Sequence, residues 1–255
     1  MGSRPVRSGV TARVLDVLGA FTAEAPVLGL TDIAKRTGLP LTTVHRIVGE
    51  LAAGGALGRG DDGHYRIGLR LWEIAHLTPA SSGLREAAMP FLEDLHEVTR
   101  HNVQLAVLDP DDPGEVVYLE RLSSRDAVSI VTRTGSRLPS HATGVGLVLL
   151  AHADPDAAEA VLDRPLRRFT PYTVCEPAGV RALLAQVRSS GFVISDRQIE
   201  AVSMSVAAPV RLGSGPVVAA LSIVVPAGGT NPHTWVPAVR AAARGISRAL
   251  APQSA

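Results

Sequence analysis

The chain has little of several features that often identify a class of protein: it has one cysteine in 255 residues and no long apolar run. Cys175 alone cannot form an intramolecular disulfide, which favours a reducing compartment. The arginines near the N-terminus are not followed by the apolar segment of a secretory signal. The longest apolar stretch, around residues 145–153, is much shorter than a membrane span. We therefore expect a soluble, cytoplasmic protein that has no membrane partner.

An excess of charge of one sign is also lacking. The 25 basic and 24 acidic residues give a net charge of +1, a balance that identifies no partner. Lys35 is the only lysine, and we interpret the preference for arginine mainly as genomic composition. Residues 1–60 contain seven basic and four acidic residues, a net charge of +3 against −2 for the remainder. This small asymmetry favours the first part of the chain for contact with nucleic acid.

The signatures of common enzymes are absent. The sequence contains no nucleophile elbow, no P-loop and no complete dinucleotide fingerprint. Cys175 and His141 could serve as a thiol and a base, but no third, orienting residue follows at a telling spacing. His96 and His101 are five residues apart, which does not place them on one helix face as metal ligands. An enzyme is therefore the less favoured alternative, and we expect neither a cofactor nor a metal.

Residues 1–68 have the pattern of three short helices followed by a β-hairpin. In the first helix, apolar residues recur on one face from Val10 to Phe21. The second helix is predicted from Thr31 to Thr37, with Gly38 as a left-handed cap. The third follows Leu39-Pro40 and ends near Gly54. Residues 56–67 then predict two strands closed by an Asp-Gly turn.

Residues 31–51 have the spacing of a helix-turn-helix. Ala34 is small where the two helices would cross, and Gly38 makes the turn. At about 100° per residue, one face of the second helix is apolar and predicted to be buried, with Val44, Ile47, Val48 and Leu51. The opposite face would be presented to the major groove of DNA by Thr42, His45, Arg46 and Gly49.

Several of these residues carry groups suited to binding DNA. Thr42 and Thr43 lie in the first turn, where hydroxyl and backbone N–H groups can reach phosphate oxygens. Arg46 lies one turn later and can pair with a guanine edge. Arg59 and Arg66, on the hairpin, would contact backbone phosphates as a wing. The alternative is an ordinary helical subdomain with solvated arginines, but a hairpin at this distance from a helix-turn-helix favours DNA binding.

The pattern changes after the hairpin. Residues 69–83 are interpreted as a linker, with a helix from Leu69 to Leu77 that the segment from Pro79 to Gly83 interrupts. A helix over 84–100 follows, in which Pro90 introduces a kink or a boundary. Six strands are predicted: Val103–Leu108, Val116–Leu122, Val128–Thr132, Phe192–Ser195, Ser205–Arg211 and Val217–Val225. Further helices are expected to contain residues 145–150, 180–191 and 236–246. Residues 84–255 therefore predict an α+β domain in which helices cover an antiparallel sheet.

Eight short stretches, in their order and spacing, form a specific pattern: LTDIAKRTGLP (30–40), TVHR (43–46), GHYRIG (63–68), LREAA (84–88), VVYLER (116–121), LPSHAT (138–143), VAAPV (206–210) and AALSI (219–223). This pattern resembles the IclR family of bacterial transcriptional regulators over nearly the whole chain. The resemblance implies a winged helix-turn-helix, a linker helix that dimerises, and a GAF-like C-terminal domain that binds a small effector. It also implies dimers or tetramers on double-stranded, palindromic operators and control, expected to be repression, of catabolic genes.

The resemblance also implies an effector site. Its residues in this sequence are His141, Ala142, Thr143, Gly144, Asp196, Ser205 and Ser222. Backbone N–H groups at a helix N-terminus bind anions, and serine hydroxyls on adjacent strands can donate hydrogen bonds. A small organic acid is therefore the expected ligand. The alternative is structural: Thr143 serves only as an N-cap, and the serines are ordinary inward-facing strand residues.

Some positions depart from the family pattern. Leu41 stands where a basic or small polar residue is usual, so one phosphate contact is missing. Leu147 replaces a common lysine, Val202 replaces glycine and Ser205 replaces a frequent cysteine. These differences leave open which effector binds. They also keep open an effector-independent DNA-binding protein of the same fold.

Overall fold

A computed structural model describes residues 9–22, 24–75, 79–229 and 231–251, with the side chains of 79–82 left out. The chain divides into two compact units, Met1–Pro79 and Ala80–Ala255. Residues 76–78, which belong to the predicted linker, lie outside the described residues. Across the described ranges, no helix combines the length and the apolar character needed to cross a membrane.

The first unit contains short helices and a small antiparallel sheet in the order β1-β3-β2. Its elements are α1 (Val10–Gly19), β1 (Val27–Leu28), α2 (Leu30–Thr37), α3 (Leu41–Ala53), β2 (Leu57–Arg59), β3 (Tyr65–Ile67) and α4 (Leu69–Ala75). The predicted helices and the hairpin are confirmed, whereas β1, a strand of two residues, was not predicted. Gly38 ends α2 with φ of +70°, a left-handed conformation that favours glycine.

The core of this unit forms where the sequence pattern places it. Val44, Ile47 and Val48 of α3 are fully buried, and Leu51 is half-buried on the same face. They pack with Ile33 of α2 and with buried residues of α1 and the sheet. Burial of this apolar stripe fixes the rotation of α3 about its axis, and so decides which side chains face outward.

The second unit is a six-stranded antiparallel sheet with helices on both faces, ordered β6-β5-β4-β9-β8-β7. Its strands are β4 (Asn102–Leu108), β5 (Glu115–Leu122), β6 (Arg137–Pro139), β7 (Val193–Asp196), β8 (Ser203–Arg211) and β9 (Val217–Pro226). Its helices are α5 (Pro79–Thr99), α6 (Gly144–Ala151), α7 (Pro155–Leu162), α8 (Pro177–Ser190) and α9 (Val236–Ala249). One face of the sheet packs on α5 and α9, and the other packs on α6, α7 and α8. This arrangement confirms the predicted α+β class.

Two sequence predictions in this region are wrong. The segment from Pro79 to Gly83 is not a break, because it forms the start of α5, which continues past Pro90 to Thr99. Proline is tolerated in a first helical turn, where its missing N–H has no intrahelical acceptor. Val128–Thr132 is a loop rather than a strand, and the edge strand is β6 instead.

Candidate DNA-binding surface and effector cavity

The outer face of α3 is exposed as the sequence predicts. Thr42, His45 and Arg46 are exposed, and Thr43 is half-buried. The guanidinium of Arg46 pairs with the carboxylate of Glu50 one turn later, with 2.7 Å between Nη1 and Oε1. Both partners are more than half exposed, at 53% and 61%. Arg46 therefore lies along the outer face of the helix, next to Glu50.

The first turn of α3 follows Pro40, whose carbonyl accepts hydrogen bonds from the backbone N–H groups of Thr43 and Val44 at 2.9 and 3.0 Å. Leu41, at 49% exposure, stands beside these groups at the helix start. Thr42 follows with an exposed side chain. This end of α3 offers a hydroxyl and a positive helix terminus to an approaching phosphate.

The hairpin carries the two predicted wing arginines on neighbouring strands. Arg59 lies opposite Tyr65 across the β2–β3 pair, and its guanidinium is 5.7 Å from the centre of the Tyr65 ring. Arg66 lies opposite Gly58, and both arginines are exposed. The strands are closed by the turn at 60–63, in which the Gly60 N–H donates to the His64 carbonyl at 2.8 Å. The geometry therefore presents two cations on one short hairpin.

A cavity lies where the N-terminus of α6 meets the sheet in the second unit. It encloses about 420 Å³, counting its open mouth. Five of the seven predicted effector residues line it: Ala142, Thr143, Gly144, Ser205 and Ser222. The other polar lining residues were not predicted from the sequence; they are Gln104, Tyr118, Thr132, Ser195, Gln198, Glu200 and Ser203. Apolar lining comes from Ile130, Leu138, Val145, Ile199, Met204 and Val224.

The other two predicted residues, His141 and Asp196, are not in the cavity lining. His141 is buried, and its Nε2 donates a hydrogen bond to the Arg167 carbonyl at 3.0 Å. Burial lowers the pKa of His141, although that hydrogen bond partly opposes the shift. Asp196 binds the guanidinium of Arg197 through two hydrogen bonds of 2.8 and 2.7 Å. The structure therefore gives these two residues local partners rather than bringing them to the other five.

The start of α6 is tightly constrained. The Thr143 hydroxyl caps the helix by accepting from the Gly146 N–H at 3.1 Å. A Cβ at Gly146 would collide with the backbone of Ser140, and one at Gly144 would collide with the Ser205 hydroxyl. Thr143 thus does serve as an N-cap, but it also lines the cavity. The first turn of a helix leaves N–H groups without intrahelical acceptors, so this end can bind a negative group.

A row of hydrogen-bonding side chains crosses the sheet beneath the cavity. Gln104 and Ser222 are paired across β4 and β9, and the Ser222 hydroxyl donates to Gln104 Oε1 at 3.4 Å. Gln104 Nε2 in turn donates to the Thr132 hydroxyl. Gln104 and Ser222 are both buried. In the sequence, Gln104 is a polar residue within the apolar run of β4, and this feature could have identified it as a lining residue.

The loop over residues 123–136 is fixed against the sheet and supplies part of the cavity wall. Asn102 Nδ2 donates to the Val128 carbonyl at 2.8 Å. Arg121 donates from Nη1 to the Thr132 carbonyl at 2.6 Å and from Nη2 to Asn102 Oδ1 at 2.9 Å. The segment wrongly predicted as a strand thereby places Ile130 and Thr132 in the lining.

A second loop, over residues 197–202, supplies an acid. The hydroxyl of Thr173 donates to the Gln198 carbonyl at 2.6 Å, and the Val174 N–H donates to Gln198 Oε1 at 3.2 Å. Glu200 follows in the lining, and burial raises the pKa of its carboxyl, although Arg121 and a backbone hydrogen bond from Val131 oppose the shift. The cavity therefore combines donors at α6 with an acceptor at Glu200.

The noted sequence departures lie mostly away from the cavity. Leu147 is fully buried in the apolar core between α6 and the sheet, and Val202 is 59% exposed. Neither is in the cavity lining, whereas Ser205 is. Leu147 and Val202 therefore do not narrow the cavity, and Ser205 makes it more polar.

Two family models match the chain. Residues 10–61 match the model described as the IclR helix-turn-helix domain, and residues 77–248 match that of the bacterial transcriptional regulator IclR C-terminal domain. The solved structure of an IclR homolog from Microbacterium hydrocarbonoxydans, complexed with 4-hydroxybenzoate, is 42% identical. That comparison covers 95% of this chain and 99% of the other, with a TM-score of 0.88.

Characterised relatives agree with this assignment. The HTH-type transcriptional regulator XynR of Escherichia coli is 33% identical over 213 residues, which are 83% of each chain. The HTH-type transcriptional regulator BhcR of Paracoccus denitrificans is 30% identical over 246 residues, 94% of this chain and 87% of the relative. These relatives are regulators of transcription and not enzymes. The chain belongs to the IclR family of bacterial transcriptional regulators.

Proposed function

We propose that this protein represses catabolic genes by binding a palindromic operator, and that a small organic acid in the cavity at α6 modulates this binding. The observation that carries the proposal is the convergence of Thr143, Gly144, Ser205 and Ser222 on one cavity at a helix N-terminus. The protein would act in the cytoplasm, where bacterial DNA lies. The alternative is a protein that binds DNA independently of any effector, and it requires that the same cavity bind no carboxylate.

Neutral donors would hold the acid group. In the part of the chain that the structure describes, no arginine or lysine lines the cavity. The N–H groups at the start of α6 and the Ser205 hydroxyl supply the donors, and the Ser205 hydroxyl lies directly against Gly144. Because the ligand charge would then be balanced by dipoles, we expect modest affinity that depends on the position of each donor.

Glu200 adds a second requirement on the ligand. Its carboxylate would repel an acid group but would accept a hydrogen bond from a hydroxyl. The cavity thus favours a small acid that also carries a hydroxyl group. The Microbacterium homolog was solved with 4-hydroxybenzoate, which has both groups, and this compound is therefore the first ligand to test.

DNA binding is assigned to α3 and the hairpin. Arg46 and His45 would face base edges, Thr42 and Thr43 would bind phosphates at the helix start, and both wing arginines, Arg59 and Arg66, would bind the flanking backbone. Palindromic operators require a symmetric protein, so we propose a homodimer or homotetramer. Exposed apolar side chains on α4 support a protein contact there, namely Leu69, Trp72 and Ile74 at 70%, 58% and 51% exposure.

The test combines a gel shift on DNA upstream of the gene for this protein with calorimetry on three compounds. These are 4-hydroxybenzoate, benzoate and 4-hydroxybenzyl alcohol. We expect retarded DNA at low salt, binding of 4-hydroxybenzoate, weaker binding of benzoate and no binding of the alcohol. Absence of a DNA shift would contradict the regulator, and retarded DNA without binding of any acid would favour the effector-independent alternative.

A further inference from the structure

A second concave surface lies away from the effector cavity, between the C-terminal half of α9 and the end of β8. It encloses about 1130 Å³, counting its open side, and we call it the arginine groove. Four arginines line it: Arg211, Arg240, Arg244 and Arg248. The groove shares no lining residue with the effector cavity.

The arginines are arranged by the secondary structure. Arg240, Arg244 and Arg248 are spaced by four residues along α9, which puts them on one helix face with a rise of about 6 Å between neighbours. Arg211 faces them from the end of β8, where its backbone N–H donates to the Ser247 hydroxyl at 2.9 Å. Its Nη1 donates to the Gly215 carbonyl at 3.3 Å. The four charges are therefore held together by two elements of the fold.

No carboxylate neutralises these charges among the described residues. The groove lining contains no acidic side chain, and none of the four arginines forms an ion pair there. Other arginines of this unit do pair: Arg85 with Glu120, Arg164 with Asp112 and Arg181 with Glu159. Like charges at such spacing repel one another. An anion in the groove would remove this repulsion.

The remaining lining indicates the kind of anion. Pro209 and Ala251 contribute partly exposed apolar surface to the lining, whereas Ala208 and Ala243 are almost fully buried beneath it. Arginine binds phosphate through two parallel hydrogen bonds. A DNA duplex is convex, so its phosphates would reach only the rim of a concave groove. A small ligand with an apolar ring and several phosphates fits both parts of the lining.

We propose that the arginine groove binds a small polyphosphorylated metabolite of the nucleoside polyphosphate type, as a second ligand of this regulator. The phosphates pair with the four arginines of the groove, and the base lies on the apolar lining. This inference goes beyond the proposed response to an organic acid and does not depend on it.

The experiment measures binding of inorganic tripolyphosphate and of adenosine triphosphate to the full chain by calorimetry at low salt. In Arg244→Glu we expect affinity for both probes to fall about tenfold or more. The matched control is Arg125→Glu, which makes the same charge change at an exposed loop residue. That control is expected to bind within about twofold of wild type, and melting curves verify that both variants are folded.

A third variant separates the groove from the DNA-binding surface, which also attracts polyphosphate. Arg46→Glu should retain wild-type affinity for the two probes if the arginine groove is their site. No binding by the wild type would overturn the proposal. The proposal would also be overturned if Arg125→Glu lost as much affinity for the probes as Arg244→Glu does. The same holds if Arg46→Glu lost affinity and Arg244→Glu did not.

Discussion

Arg46 and Glu50 form an ion pair along the exposed face of α3, with 2.7 Å between Nη1 and Oε1. Exposed pairs of this type contribute only about 0.2–1 kcal/mol. Arg46 can therefore leave Glu50 for a base edge at little cost in free energy. The pair holds the side chain on the outer face of α3 in the absence of DNA without blocking its proposed role.

Replacing Arg46 tests that role. Arg46→Ala should weaken operator binding by about 1–3 kcal/mol and relax the preference at one base pair. Fluorescence anisotropy on the operator and on its single-base variants measures both effects. Glu50→Gln is the control, because it frees Arg46 without removing it and should not weaken binding. Full base selectivity in Arg46→Ala would remove Arg46 from the recognition surface.

The wing arginines should contribute through phosphate contacts alone. Arg59→Ala or Arg66→Ala should each reduce the slope of log affinity against log salt by about one, because one fewer counterion is released. Binding isotherms over a range of salt concentrations give the slope. Arg125→Ala, in the second unit, should leave it unchanged. If the slope of either wing variant matches wild type, that arginine makes no phosphate contact.

The two glycines of α6 should separate stability from ligand binding. Gly146→Ala should destabilise the fold by about 1–3 kcal/mol, because its Cβ meets the rigid backbone of Ser140. In Gly144→Ala the new Cβ meets the side-chain hydroxyl of Ser205 instead, which can move. This variant should therefore be more stable than Gly146→Ala, and its main effect should be weaker effector binding. Urea unfolding and calorimetry provide the two readouts. The opposite order, with Gly144→Ala the less stable variant, would contradict this geometry.

Buried histidines predict a pH-dependent stability. Burial lowers the pKa of His141, so the folded chain keeps the ring neutral where the unfolded chain protonates it. The unfolded state then binds more protons, and the free energy of unfolding decreases as the pH falls through about 6.5. Burial also lowers the pKa values of His101 and His152, which act in the same direction.

The measurement is urea unfolding at pH 7.5 and 5.5. His141→Gln keeps a donor for the Arg167 carbonyl but does not titrate, so it should lose less stability than wild type between these pH values. His45→Gln changes an exposed histidine and is expected to show the wild-type loss. Equal losses in wild type and His141→Gln would contradict the contribution of His141.

The DNA-binding unit could be predicted from the sequence because its determinants are local. Apolar spacing fixed the buried face of α3, and Gly38 fixed the turn between α2 and α3. The break predicted at 79–83 is wrong because these residues begin α5. Pro79 lies in the first helical turn, where proline is tolerated, and α5 continues through Gly83.

The cavity at the start of α6 was only partly predictable, because residues far apart in the sequence form its lining. Ser205 and Ser222 lie on strands that pair with each other, and the helix N-terminus was visible as Thr143 followed by an apolar run. Glu200 reaches the lining through a loop held by Thr173, twenty-five residues away from Gln198 in sequence. No local pattern encodes such a contact.

The central claim is that a ligand in the α6 cavity changes the affinity for DNA, and coupled binding tests it most directly. Operator affinity is measured by anisotropy with and without saturating 4-hydroxybenzoate, for wild type and for Ser205→Ala, which removes the cavity hydroxyl that is proposed to bind the acid group. We predict a change of about fivefold or more in wild type. In Ser205→Ala the change should be much smaller, with normal DNA affinity in the absence of ligand. An operator affinity that stays the same with and without saturating 4-hydroxybenzoate, although calorimetry shows that the compound binds, would contradict the account.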